Sequence, residues 1–465
     1  MRRLRARGRW RAVVTVLACA ILALAWPGAT SGPARAIPPA IDPALLPPAG
    51  PPRSPEPAKQ ATVCQRLSLS GPPPRTAPPA QRPLDLPTAW RFSRGRGQIV
   101  AVIDTGVTRH PRLPRLIPGG DYVAGTDGTE DCDGHGTLVA GLIAGQPSAD
   151  DGFTGVAPEA AILAIRQVSL AFEPADYNRR GLPGQLVAGG FGTTATLASA
   201  IVHAVALGAT VITVPTVACA AAGTDLADGA LGAAVRFAYD RNVVVVAAAG
   251  DLGDSGSCRT QNDETGLGAV RTVASPAHFT PYVLSVGAMD GGGAAAAFSL
   301  FGSWVSVAAP GRGIVSLDSA PGSGGLVDSV PARDGVHPIE GTGYAAAYVA
   351  GVVALVRSRY PELTAGAVME RVIRTAHSPG PGRDNRLGAG LVDPVAALTA
   401  RLPERDVHEG AAEGSPIAAP EPPPWRDPWP VRIALIGTIV CLAGLAAGHG
   451  LSLLYRRGEG KNADE

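Results

Sequence analysis

Charge and aromatic side chains are both scarce in this chain: Asp, Glu, Lys and Arg together make up 17% of 465 residues, and Phe, Trp and Tyr 5%. The formal net charge is +1, which removes the electrostatic basis for a nucleic-acid partner. No internal repeat is visible, and no Cys/His spacing of the zinc-binding kind occurs. Cysteine is limited to six residues, whereas glycine (59) and proline (44) are plentiful and locally concentrated enough to mark tails. Length and composition fit one large domain with appendages.

The appendages follow from short-range patterns. Residues 1–36 read as an export signal: the basic run "MRRLRARGRWR", the apolar run "AVVTVLACAILALAW", then the small-residue site "ARA" at Ala34–Ala36. From Ile37 to residue 88 the prolines are too dense, and the periodic apolar residues too few, for a core, so this stretch reads as an extended arm. Residues 403–430 are a second proline-stiffened stretch, a linker. It leads into "IALIGTIVCLAGLAAGHGLSLL", Ile433–Leu454, 22 residues without an Asp, Glu, Lys or Arg. With its flank (431–454) this is a transmembrane helix by length. Arg456, Arg457 and Lys461 in the tail 455–465 place that end in the cytoplasm, with Arg432 on the other flank weakening the asymmetry. The expected location is therefore the cell membrane, single-pass, with the main domain on the extracytoplasmic side. Cys19 leaves with the signal and Cys441 sits in the span. Cys64, Cys132, Cys219 and Cys258 remain, which in an oxidising compartment implies two disulfides with three possible pairings.

Between 89 and 402 the pattern changes. "GQIVAVID", "AAILAIRQV", "ATVITV", "NVVVVAAAG" and "YVLSVGAM" are short apolar strands, and "ATLASAIVHAVALG" is a helix ending at glycine. Fully apolar strands alternating with helices predict a three-layer α/β domain on a mostly parallel sheet. In such a sheet, chemistry sits beyond the carboxyl ends of the strands. There the sequence places Asp104 after "IVAVI" and His135 where "DCDGHGTLVAGLIAG" turns into an apolar helix. A carboxylate beside an imidazole fixes its tautomer and stabilises its protonated form, the pairing of a general base. Further on, "GTGYAAAYVAGVVALV" (341–356) runs a loop of small residues into another apolar helix.

The segments "VAVIDTGV", "DGHGTLVAGLIAG", "GVAPEAAI" and "GTGYAAAYVAGVVALV" resemble the blocks of the subtilisin-like serine peptidases, in their Asp, His, Ser order. A narrower resemblance covers nearly the whole chain. The export signal, the arm beginning near "IPP" with one cysteine, the domain with three more, the Pro-rich linker and the single span are similar to the mycosins. These are the membrane-anchored subtilases of type VII secretion systems. "GGDYVAG", "AIRQVSLAFEP" and "VDPVAALTA" fit that group, and the presence of only two lysines, Lys59 and Lys461, suits a high-GC genome. The resemblance implies disulfides Cys64–Cys132 and Cys219–Cys258, the first clamping the arm beside the His135 loop.

Three departures bear on activity. Where the family pattern reads Gly-Thr-Ser, with serine as nucleophile, this chain has Gly341, Thr342 and Gly343, so no acyl-enzyme can form through that position. At "VVVVAAAGD" the oxyanion-donating Asn is replaced by Asp251, an acceptor where a donor is needed, and loss of one such donor typically costs about 100- to 1000-fold in rate. In "VITVPTVAC" the mycosin Asn-Ile-Ser is replaced by Thr213, Val214 and Pro215. The expectation is a catalytically deficient subtilase-fold component acting in assembly or stabilisation of the membrane secretion complex. The alternatives are a serine endopeptidase with an unrecognised nucleophile, processing secreted substrates, and a pseudoenzyme that still binds peptides in the cleft. The expected partners are type VII membrane-complex subunits, with no cofactor and no metal site. His110 and His203 read as a loop and a helix residue, and Glu130, Asp131 and Asp133 as a solvated acidic loop rather than a metal site.

Overall fold

Seven short strands form one parallel sheet in the computed structural model of the chain. They are β1 (Ile99–Asp104), β2 (Leu116–Asp121), β3 (Ala161–Arg166), β4 (Val211–Val214), β5 (Val244–Ala248), β6 (Val283–Met289) and β7 (Val305–Pro310). The sheet order is β7-β6-β5-β4-β1-β3-β2, every pair parallel. The structure describes residues 39–402 apart from 177–183, 188–189, 254–257, 263–269, 333–334, 379 and 381–382, together with 435–440, 442–444 and 446–447.

The two-residue alternation of the strands sorts their side chains into two cores. Val100 and Val102 of β1, with Val244 and Val246 of β5, face helices α1 (His135–Ala144) and α4 (Thr342–Arg359). Ala101 and Ile103, with Val245 and Ala247, face α2 (Thr194–Ala206) and α3 (Gly229–Asp240). This is the three-layer arrangement expected from the sequence. Helix α4 lies against β4, β5, β6 and β7, and every residue from Thr342 to Arg357 is buried. A helix apolar all round belongs in a core, and runs such as Ala345-Ala346-Ala347 keep it thin enough to pack against both α1 and the sheet. Helices α5 (Ala365–Thr375) and α6 (Pro394–Thr399) complete that layer.

The arm makes no core of its own, yet it is bound along its length. Its strand Ala58–Gln60 pairs antiparallel with Phe172–Pro174. Ser68 exchanges backbone hydrogen bonds of 3.0 Å with Ser329, and Pro74 accepts from the Gly152 N–H at 2.6 Å. Between these points Cys64 is joined to Cys132, and a second disulfide joins Cys219 to Cys258. The predicted signal and linker lie outside the described residues, as does half of the span predicted at Ile433–Leu454. Among the described residues no helix is long and apolar enough to cross a membrane.

Candidate active site

Asp104 is the last residue of β1, and its placement there follows from the apolar run before it. His135 opens α1, whose first turn is held in place by side chains rather than by its own N-cap, Gly134. Asp131 does this work: its carboxylate accepts from Gly134 N–H (2.7 Å), Thr105 Oγ1 (2.8 Å), Thr137 N–H (2.8 Å) and Thr137 Oγ1 (2.6 Å). Thr105 Oγ1 in turn accepts from the Gly136 N–H at 2.9 Å. A methyl group on Gly136 would lie 2.0 Å from the Gly106 carbonyl oxygen, so only glycine lets α1 approach the end of β1 this closely.

The result is a close pair. His135 Nδ1 lies 2.7 Å from Asp104 Oδ2 and 3.0 Å from Oδ1. Asp104 is fully buried, while the imidazole keeps 27% of its surface open to the cleft. Burial pulls the His135 pKa down, but the charge and hydrogen bond of Asp104, joined by Asp131 and Asp251, outweigh it, and the pKa stands above the ordinary histidine value. The Tyr344 ring stacks on the imidazole with centroids 4.8 Å apart and planes tilted by 43°.

Gly343 stands opposite this pair, in the first turn of α4. A Cβ built on it would be 3.3 Å from His135 Cε1, which is where a nucleophile served by this histidine belongs. Position 343 has no side chain, and the space is not open: the same Cβ would lie 2.7 Å from the Pro215 carbonyl oxygen and 3.1 Å from Pro215 Cβ. Thr342 offers no substitute, since its side chain is buried and its Oγ1 accepts the Gly250 N–H at 3.3 Å. Asp251 Oδ1 accepts the Thr342 N–H at 2.8 Å. Asp251 is exposed as a residue, and desolvation of its carboxyl by the surrounding protein still raises its pKa above the usual carboxylate range, an effect the Thr342 hydrogen bonds oppose.

The remaining sequence candidates fall into structural places. Asp133 accepts from the N–H groups of Leu170 and Ala171 and from Ser169 Oγ. His110 is buried, its Nδ1 accepts from the Arg112 N–H, and burial lowers its pKa. His203 contacts the Gly119 carbonyl through Nε2 at 3.1 Å, and burial lowers its pKa too. Among the described residues no group of three or more His, Cys, Asp or Glu is arranged to hold a metal ion. Asp131 and Asp133, read from the sequence as solvated, are instead fully used as hydrogen-bond acceptors. For Asp131 the available signal was its position in the four residues before α1, where a carboxylate satisfies free N–H groups. Nothing in the sequence marked the Pro215 carbonyl, because it is a backbone atom brought in by the end of β4.

A parallel sheet with an Asp at the end of β1, a His at the start of α1 and the start of a buried helix facing them defines the subtilisin-like class of α/β domain. Residues 95–390 match the Peptidase_S8, or subtilase, family. The chain is 44% identical to Mycosin-3 of Mycobacterium tuberculosis over 97% of its own length and 99% of that protein's. Among solved structures it resembles the MycP3 protease from the type VII (ESX-3) secretion system, with 44% identity and a TM-score of 0.70, covering 78% of this chain and 100% of that one. It also resembles a chain of an intact ESX-5 inner membrane complex, with 40% identity and a TM-score of 0.72, covering 90% and 100%. The chain belongs to the subtilase family and, within it, to the mycosins.

Proposed function

We propose that this protein is a type VII secretion component whose subtilase domain does not hydrolyse peptides and acts instead in assembling or stabilising the membrane secretion complex. One observation carries the reading: the Asp104–His135 pair is formed, and the position it serves is Gly343. Without a hydroxyl the imidazole has nothing to deprotonate, and loss of a serine nucleophile alone costs on the order of 10⁶ in kcat. Asp251 adds repulsion where a tetrahedral intermediate would need a donor. The similarity to a chain of an inner membrane complex supports a role within such an assembly. In this reading the span at Ile433–Leu454 holds the domain on the extracytoplasmic side, beside its partner subunits.

Two measurements test it. A fluorophosphonate probe applied to the full-length protein in its native membranes leaves it unlabelled, whereas an adduct on any cleft side chain would overturn the reading and restore the endopeptidase alternative. Deleting the protein removes the secretion complex from native gels, and a chain carrying His135→Ala restores it. An intact complex in the deletion strain, or rescue that needs His135, would refute the assembly role.

A further inference from the structure

Resting on the reading that the site no longer hydrolyses, we infer that its altered residues are a rebuilt structural joint, with Asp251, Pro215 and Gly343 together fixing the N-terminus of the central helix α4. Simple decay would leave a hole at position 343 and a stray carboxylate beside it. The geometry has neither. The cap position of α4 is Gly341, which has no side chain to satisfy the first helical N–H groups. Asp251, from a segment 91 positions away, supplies the missing acceptor to the Thr342 N–H at 2.8 Å. The site of the absent hydroxymethyl group is filled by Pro215, whose carbonyl oxygen would be 2.7 Å from any Cβ on Gly343. Proline fixes φ at residue 215, which removes one of the two torsions through which this oxygen could swing aside.

The two explanations predict opposite signs. Gly343 has helical backbone, and glycine to alanine in a helix ordinarily stabilises. If the site has merely decayed, Gly343→Ala raises the unfolding midpoint or leaves it unchanged. If the joint exists, the added methyl collides with backbone and lowers it.

The test is thermal unfolding of the full-length protein in detergent, followed by near-UV circular dichroism. The expected result for Gly343→Ala is a fall in midpoint of roughly 2–6 °C, given the usual cost of overpacking. Pro215→Gly combined with Gly343→Ala loses less than the two single variants added together, because removing the fixed ring lets the carbonyl move. If Gly343→Ala fails to fold, Asp251 carries the test alone: Asp251→Asn keeps an acceptor for Thr342 and holds the midpoint, while Asp251→Ala lowers it. A midpoint that is equal or higher in Gly343→Ala, or a loss as large in Asp251→Asn as in Asp251→Ala, would overturn the joint. Neither result touches the absence of fluorophosphonate labelling, so the joint and the loss of hydrolysis fail separately.

Discussion

Replacing Cys64 and Cys132 by serine removes a cross-link between residues 68 positions apart, and its cost can be worked out from the chain alone. In the loop-closure treatment, releasing a loop of this length returns about 4 kcal/mol of conformational entropy to the unfolded state. For a domain of this size that is roughly 6 °C in unfolding midpoint. The Cys219–Cys258 bridge spans 39 positions, and because the entropy grows only with the logarithm of loop length its removal costs nearly as much. What separates the two is location. Cys132 adjoins Asp131, which holds the start of α1, and Gln65 of the arm donates its N–H to the Cys132 carbonyl at 2.8 Å. Loss of the first bridge should therefore also loosen His135, and expose the arm near Val63, already 87% accessible, to protease. The assays are urea unfolding, limited proteolysis and the NMR line widths of the His135 ring, on both double-serine variants. Midpoints unchanged from the parent would refute the entropic argument. Equal disturbance of His135 by both variants would refute the local one.

Other outcomes follow from the site geometry. Asp104→Asn removes the main charge that holds the His135 pKa up, so the His135 titration followed by NMR moves to lower pH; an unmoved titration would mean Asp104 is not its cause. The linked stability has a definite sign: a histidine with a raised folded pKa contributes stability that is complete below the unfolded value of about 6.5 and is lost as pH rises through the folded value. Asp104→Asn should flatten that part of the stability profile, measured by urea midpoints across pH. Gly136→Ala forces a methyl to within 2.0 Å of the Gly106 carbonyl and should cost about 3 kcal/mol or more in urea unfolding; a loss below about 1 kcal/mol would show that α1 can move away freely. Asp131→Asn turns an amide N–H₂ toward one pair of donors and should cost about 1–3 kcal/mol, with a neutral result contradicting the four-donor network.

Most of the sheet was legible because its strands are unbroken apolar runs. β1, β3, β4, β5 and β6 all fall inside segments picked out by β-branched residues and alanine. β2 was not anticipated for a physical reason: it lies at the sheet's edge, and "LIPGGD" has two exposed positions, a proline and two glycines that dilute its pattern; β7, at the other edge, was not anticipated although all six of its residues are buried. Asp104 and His135 were readable because each follows a strong local pattern. The four cysteines were readable as such, but their pairing came only from family likeness. Contacts made by backbone atoms left no trace: nothing in "TVPT" announces that one carbonyl oxygen will face Gly343 across the cleft.

Three altered positions in one cleft would ordinarily suggest that selection has let go of it. Yet the surroundings have not relaxed. Asp131 still holds α1 through four hydrogen bonds, Gly136 still permits close contact with β1, and Asp104 remains buried against His135. Buried carboxylates kept for no purpose are costly, because their charge must be compensated by donors that serve nothing else. In this fold those groups serve a second end whatever becomes of catalysis, for they join the end of β1 to the start of α1. The start of α4 has a like need, since its first N–H groups require acceptors whether or not a serine follows. On the proposed reading, a subtilase without its nucleophile keeps its architecture because residues of the cleft cap and pack the helices around it.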